Sequence, residues 1–223
     1  MLVLALDTAL AACSVALLDS ASGAVLAKAC ETMERGHAER LIPLVAETCA
    51  AAGIPPGACR RFVATTGPGS FTGLRVAISA ARAMALATGG DAVGISTLAA
   101  LSEPYLAAAE PLAVLAAIDA RHGHVYASLV AHDRRVIVAP AYLDAAEAAR
   151  LAAGQPVALV GPGADSVLGA WPSGASAPVI LDERPAPDIA LIARLGAAAD
   201  PALFPCRPLY LKAVDAKPQA ARA

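Results

Sequence analysis

The chain opens with short apolar runs separated by polar turns. Leu2 to Leu6 is apolar throughout, Ser14 to Leu18 nearly so, and Val25 to Glu31 alternates well enough to form a third such segment. Runs of this length bounded by turn residues predict strands, with Asp7-Thr8 joining the first two and Asp19 to Gly23 the next pair. The period then changes. From His37 to Ala52, Leu41, Leu44, Val45 and Thr48 recur at helical spacing, with Pro43 in the opening turns and Gly53 as the stop. A strand over Arg61 to Thr66, a glycine-rich turn over Gly67 to Gly73 and a helix over Leu74 to Ala87, ended by Gly89-Gly90, make one strand-turn-helix unit. Asp91 to Ile95 predicts a further strand, and Ser96 opens an alanine-rich helix that runs into Pro104.

The second half is a weaker echo. Ala113 to Ile118, Val125 to Val130 and Val136 to Pro140 predict strands, Asp144 to Ala153 a helix, Val157 to Val160 a strand and Asp188 to Ala198 a last helix. A proline-punctuated tail, Pro201 to Ala223, is too polar at its end to pack throughout. Strands interleaved with helices predict the α/β class, as two related lobes, 1-103 and a degenerate 104-223, that face each other.

Composition narrows the function. With 17 basic against 19 acidic residues and a net charge of -2, the doublets Arg60-Arg61 and Arg134-Arg135 are too short to track phosphates, so the chain alone is expected to bind nucleic acid only weakly. The 57% hydrophobic fraction is largely alanine with 4% aromatic residues, and no run approaches the ~20 apolar residues of a membrane span. The opening run lacks a basic leader and contains Asp7, which favours a strand over a signal peptide. Five widely spaced cysteines, Cys13, Cys30, Cys49, Cys59 and Cys206, without a C-x-x-C pair, predict small buried thiols in a reducing cytoplasm.

Several segments invite chemistry. Asp7-Thr8 offers a carboxylate and a hydroxyl for a magnesium-bound phosphate, although both are ordinary turn residues. Gly67 to Arg75, G-P-G-S-F-T-G-L-R, resembles an anion cradle at a helix N-terminus but matches neither the P-loop nor the dinucleotide spacing. Gly161-Pro162-Gly163 is a second glycine turn, either an adenosine contact or a plain tight turn. His37 with Glu39, and His122 and His124 beside Asp119 and Arg121, lack a third ligand in reach by sequence and predict no metal site. Beyond the first glycine turn, Gly73, Ala77, Ala81 and Ala85 form a stripe of small side chains that admits a close neighbour, either the chain's own sheet or another chain.

Together Leu4 to Thr8, His37 to Leu41, Gly67 to Arg75, Asp119 to Arg121 and Pro208 to Lys212 resemble the TsaB (YeaZ) family in order and spacing over nearly the whole chain. His124 and Ala77 depart from its pattern, which carries Glu and Gly there. The resemblance implies an actin-like (ASKHA) two-lobed fold. It implies a partner subunit, without activity of its own, for a TsaD-like protein that forms threonylcarbamoyladenosine in tRNA, together with a TsaE-like ATPase. In the TsaD paralogue a His-x-x-x-His segment holds a metal, where this chain reads Ile95 to Leu101 without such ligands. The resemblance further implies no intrinsic cofactor or metal, with Asp7, Thr8, Gly161 and Gly163 as weak nucleotide candidates and ATP or ADP possible only at the joint with the partner. A homodimer is expected when the partner is absent. The docking face implied comprises the helices His37 to Ala52 and Leu74 to Ala87, through His37, Leu41, Ser70, Phe71, Gly73, Leu74, Arg75, Ala77, Ile78, Ala81 and Arg82. The alternatives are a small-molecule kinase, which needs an intact nucleotide cleft, and a metallopeptidase-like enzyme, which needs a metal-bound water.

Overall fold

Leu2–Asp7 (β1) is buried along all but its first residue, as a strand must be when both faces of its sheet are covered. In the computed structural model, which describes residues 1–212, β1 is the centre of a five-stranded sheet of order β3-β2-β1-β4-β5. Its partners are β2 (Ala12–Asp19), β3 (Ala24–Thr32), β4 (Arg61–Gly67) and β5 (Asp91–Ser96). The β1-β2 and β2-β3 pairs are antiparallel, and the β1-β4 and β4-β5 pairs parallel. Helices α1 (His37–Ala51) and α2 (Phe71–Thr88) cover one face.

The second sheet repeats this topology. Its strands are β6 (Ala113–Asp119), β7 (His124–Val130), β8 (Val136–Asp144), β9 (Val157–Val160) and β10 (Ile180–Asp182), in the order β10-β9-β6-β7-β8. Again the first strand is central, flanked by an antiparallel meander on one side and parallel strands on the other. Helices α4 (Ala145–Ala152) and α5 (Ala164–Gly169) cover one face. On the other face lies α3 (Thr97–Leu106), whose Leu98, Leu101 and Leu106 pack with Val114, Ala116, Ile118, Ala158 and Val160. Glu103 of α3 accepts two hydrogen bonds from Arg134 at 2.7 Å, and Tyr105 donates to Asp182. The helix that closes the first half of the sequence is thereby bonded to the second sheet.

The predicted strands and helices are all present, with differences that have local causes. Helix α2 begins earlier than its apolar period suggests because the Ser70 hydroxyl accepts a hydrogen bond from Gly73 N. Strand β8 runs past Pro140 to Asp144 because it is a sheet edge, where a missing N–H is tolerated. The three-residue β10 carries too little pattern to be seen in sequence. Cys30 is exposed, whereas the other four free thiols are buried and those of Cys13, Cys59 and Cys206 are pushed up to about 11 by desolvation. Among the described residues no helix is long and apolar enough to cross a membrane. Residues 213–223, the end of the expected loose tail, lie outside the described residues.

The last helix, α6 (Ile189–Ala198), belongs by order to the second half of the chain but packs on the first sheet. Ile189, Ile192 and Ala193 fill that sheet's open face against Val3, Ala5 and Val63. Arg61 donates to the α6 end carbonyls of Gly196, Ala197 and Ala199 at 2.8 to 3.3 Å. Gly196 permits the approach, since a Cβ there would overlap the Val63 side chain, whose own Cβ would lie 2.9 Å away. Gly196→Ala is therefore expected to cost about 1–3 kcal/mol through overpacking, read as a lowered midpoint with unchanged slope in urea unfolding.

Candidate functional site

Because β1 and β4 are parallel neighbours, the turns that leave them, Asp7-Thr8 and Gly67 to Arg75, emerge at the same sheet edge. They are packed into each other. Ser70 N donates to Ala9 O at 2.7 Å, and the Thr8 hydroxyl donates to Gly73 O at 2.7 Å. A Cβ on Gly69 would lie 2.5 Å from Ala9 O, and one on Gly73 would overlap Thr8 O. The motif's glycines thus serve backbone-to-backbone contact, and its Ser70 and Gly73 amides are spent on protein oxygens. His37 is half-buried at the start of α1, with Nε2 3.1 Å from Leu10 O, so the same turn is clasped from a second side.

Asp7 sits beneath this joint with no accessible surface. Its Oδ1 accepts from Ala9 N at 2.9 Å and from the Thr65 hydroxyl, while Oδ2 is buried without a partner. Desolvation pushes the Asp7 carboxyl above its usual 3.8, outweighing the hydrogen bonds from Thr65 and Ala9 and the attraction of His37.

The four nucleotide candidates, Asp7, Thr8, Gly161 and Gly163, are all buried. Asp7 and Thr8 are sealed, and Thr8 has committed its hydroxyl. A Cβ on Gly161 would lie 2.5 Å from Ala117 O and 3.0 Å from Leu101 Cδ1, and one on Gly163 2.8 Å from Asp119 N. Both glycines are filled against β6 and α3 rather than open to a ligand. The residues present do not fit a nucleotide phosphate cradle within this chain. Among the described residues, no group of three His, Cys, Asp or Glu is placed to hold a metal ion.

The small-residue stripe is corrected as well. Gly73, Leu74, Ala77, Ile78, Ala81 and Ala85 are all buried in the core with Leu41, Leu44 and Phe62, so the close neighbour of the stripe is this chain's own sheet and α1. Of the residues expected on the docking face, Leu41, Gly73, Leu74, Ala77, Ile78 and Ala81 face inward; Ser70, Phe71, Arg75 and Arg82 are exposed. Ile42 and Leu86, at 54% and 88% exposure, are outward apolar residues on the two helices that spacing did not single out.

At the start of α2, a cleft of about 500 Å³ opens between Phe71 and Arg75 of the first lobe, Tyr126 of β7 and the segment Leu209 to Lys212. The Arg75 guanidinium lies 3.7 Å over the Phe71 ring and donates from Nε to the Tyr210 hydroxyl at 3.2 Å. Phe71 and Tyr210 are 5.5 Å apart, Tyr126 and Tyr142 5.6 Å, and His124 stacks on Tyr142 at 4.8 Å. Sequence reasoning missed this gathering because its members are far apart in the chain.

Comparisons with known proteins agree with this architecture. The family model described as "TsaD: tRNA N6-adenosine threonylcarbamoyltransferase" matches residues 28–162. The chain is 39% identical over 126 residues to the tRNA threonylcarbamoyladenosine biosynthesis protein TsaB of Escherichia coli (strain K12), covering 56% of this chain and 53% of that protein. The chain thus spans about half the length of that relative. An uncharacterized protein of Mycobacterium tuberculosis (strain ATCC 25618 / H37Rv) is 33% identical over 98% of this chain and 95% of its own. The solved structure of YeaZ from Pseudomonas aeruginosa superposes with a TM-score of 0.78 at 31% identity, covering 94% of this chain and 99% of that one.

The buried Asp7 sets a pH dependence of known sign. A carboxyl raised in the folded state contributes stability that is complete below its unfolded value and lost as pH rises through the folded one. Asp7→Asn removes that loss. The variant is expected to melt above the wild type at pH 7.5, and the gap is expected to close as pH falls toward 4, measured by thermal melts across that range.

Proposed function

We propose a function from one premise: the chain belongs to the TsaB (YeaZ) family, with its actin-like fold. It serves as the non-catalytic subunit beside a TsaD-like catalytic protein, in an assembly that transfers threonylcarbamoyl to a tRNA adenosine. The observation that carries this reading is the sealed pair of turns around Asp7, Thr8 and Gly73: the position where an actin-like enzyme would hold phosphate is here spent on internal packing. That argues against the kinase alternative, and the aliphatic stretch Ile95 to Leu101 argues against a metallopeptidase. Nucleotide, in this reading, is held at the joint with the partner or by a TsaE-like ATPase. Work on tRNA places the assembly in the cytoplasm, and the same helical face pairs two copies when the partner is absent.

The docking face consists of the outward sides of α1 and α2, with Ile42 and Leu86 as apolar contacts and Arg75 and Arg82 as charged ones. Large aliphatics left exposed on two helices of one face offer apolar contacts to a partner. Two results are expected. Ile42→Glu combined with Leu86→Glu leaves the melting temperature nearly unchanged and weakens pull-down of the TsaD-like partner at least tenfold. Ala81→Glu, which places an unpaired charge in the core, unfolds the chain at a cost of several kcal/mol. A double variant that melts normally and binds with unchanged affinity would rule out the face.

A further inference from the structure

We infer that the hollow between β5, α3 and α6 is a binding site for a small aliphatic carboxylate. The inference goes beyond the proposed role in tRNA modification and does not depend on it. The hollow exists because of what covers β5, the edge of the first sheet. The chain beyond α6 returns along that edge but is held at few points. Gly94 N donates to Phe204 O at 2.9 Å, Val93 bridges Pro205, and Leu209 N donates to Thr66 O at 2.8 Å. Pro205 and Pro208 have no N–H to give, so the segment does not pair as a sixth strand. Beside it remains a hollow of about 570 Å³, in the range that holds small molecules, with Ile95, Ala99, Leu195, Ala198, Leu203 and Leu209 in its walls.

The polar groups on those walls favour an anionic head. Thr66 is 8% exposed and lines the hollow, and among the described residues its hydroxyl has no hydrogen-bond partner. Its methyl is turned toward Gly94, where a Cβ would overlap it. A hydroxyl this deeply buried is costly until a ligand or water meets it. Arg207 also lines the hollow, and its guanidinium forms no ion pair or hydrogen bond among the described residues. Ser96 and Ala99 bring the first turn of α3 to the wall, and with it the positive end of that helix's dipole. A carboxylate accepts hydrogen bonds from both a guanidinium and a hydroxyl, while its alkyl chain displaces water from aliphatic walls. Because α3 and α6 both cross between the halves of the chain, an occupant braces two helices at once and stabilises the fold by mass action.

The probe is octanoate, titrated into the full chain by calorimetry and followed by thermal melting. It is expected to saturate one site and to raise the melting temperature, with octanol about tenfold weaker and octylammonium weaker still. Arg207→Gln is expected to weaken octanoate about tenfold and leave octanol unchanged, and Thr66→Val to weaken octanoate about three- to tenfold. Ala99→Leu fills the hollow from an exposed helix position and is expected to abolish octanoate binding while melting as the wild type does. Ala198→Leu, from the α6 wall, gives the same reading should the first variant fail to fold. The inference is overturned if octanoate saturates no site on the wild type, if octanol or octylammonium binds as tightly, or if the filled variants bind octanoate undiminished. Loss of partner pull-down in Arg207→Gln or Ala99→Leu, with a wild type that ignores octanoate, would overturn it in favour of a protein contact.

Discussion

The first lobe is organised by a backbone contact that only glycine permits. Gly69 and Gly73 bring the start of α2 onto Ala9 O and Thr8 O, with the Thr8 hydroxyl closing the joint. Any Cβ at these positions would push the helix off the sheet edge. Its seat sets the inward stripe of Leu74, Ala77, Ile78 and Ala81, and that stripe in turn sets the position of α1 and the clasp of His37 on Leu10. The second lobe uses the same device, with Gly161 and Gly163 laid on the end of β6 as Gly69 and Gly73 are on the end of β1. In both halves a glycine turn is closed by backbone contact. The orphaned Oδ2 of Asp7 marks what that closure cost.

The lobes are joined by apolar contact through α3. Leu98 and Leu101 of α3 lie on the inner face of the second sheet, while Ala100 of the same helix belongs to the core of the first. Helix α6 crosses back in the other direction, and Arg61 fixes its end. Two crossings of opposite sense make the halves one packed body. They leave the outward sides of α1 and α2, and the ring-lined cleft beside α2, as its distinctive surfaces.

Much of this was legible in the sequence, because β-period and helix-period patterns depend only on which local residues are apolar. The two meanders, each strand-turn-helix unit and the helix starts at Ser96, Asp144 and Asp188 follow from neighbours within a few positions. The string Gly67 to Arg75, together with the four shorter segments in order around it, carried the resemblance to the family. What spacing could not decide was direction. Gly73, Ala77, Ala81 and Ala85 share a face in any helix, but whether that face meets this chain's sheet or another molecule depends on Thr8 and Phe62, remote in sequence. The allegiance of α6, the sealing of Asp7 and the convergence of Phe71, Tyr126 and Tyr210 on one cleft are likewise products of long-range packing. Local pattern fixes which residues form a helix or strand; only the burial of one element against another fixes what each of its faces is left to do.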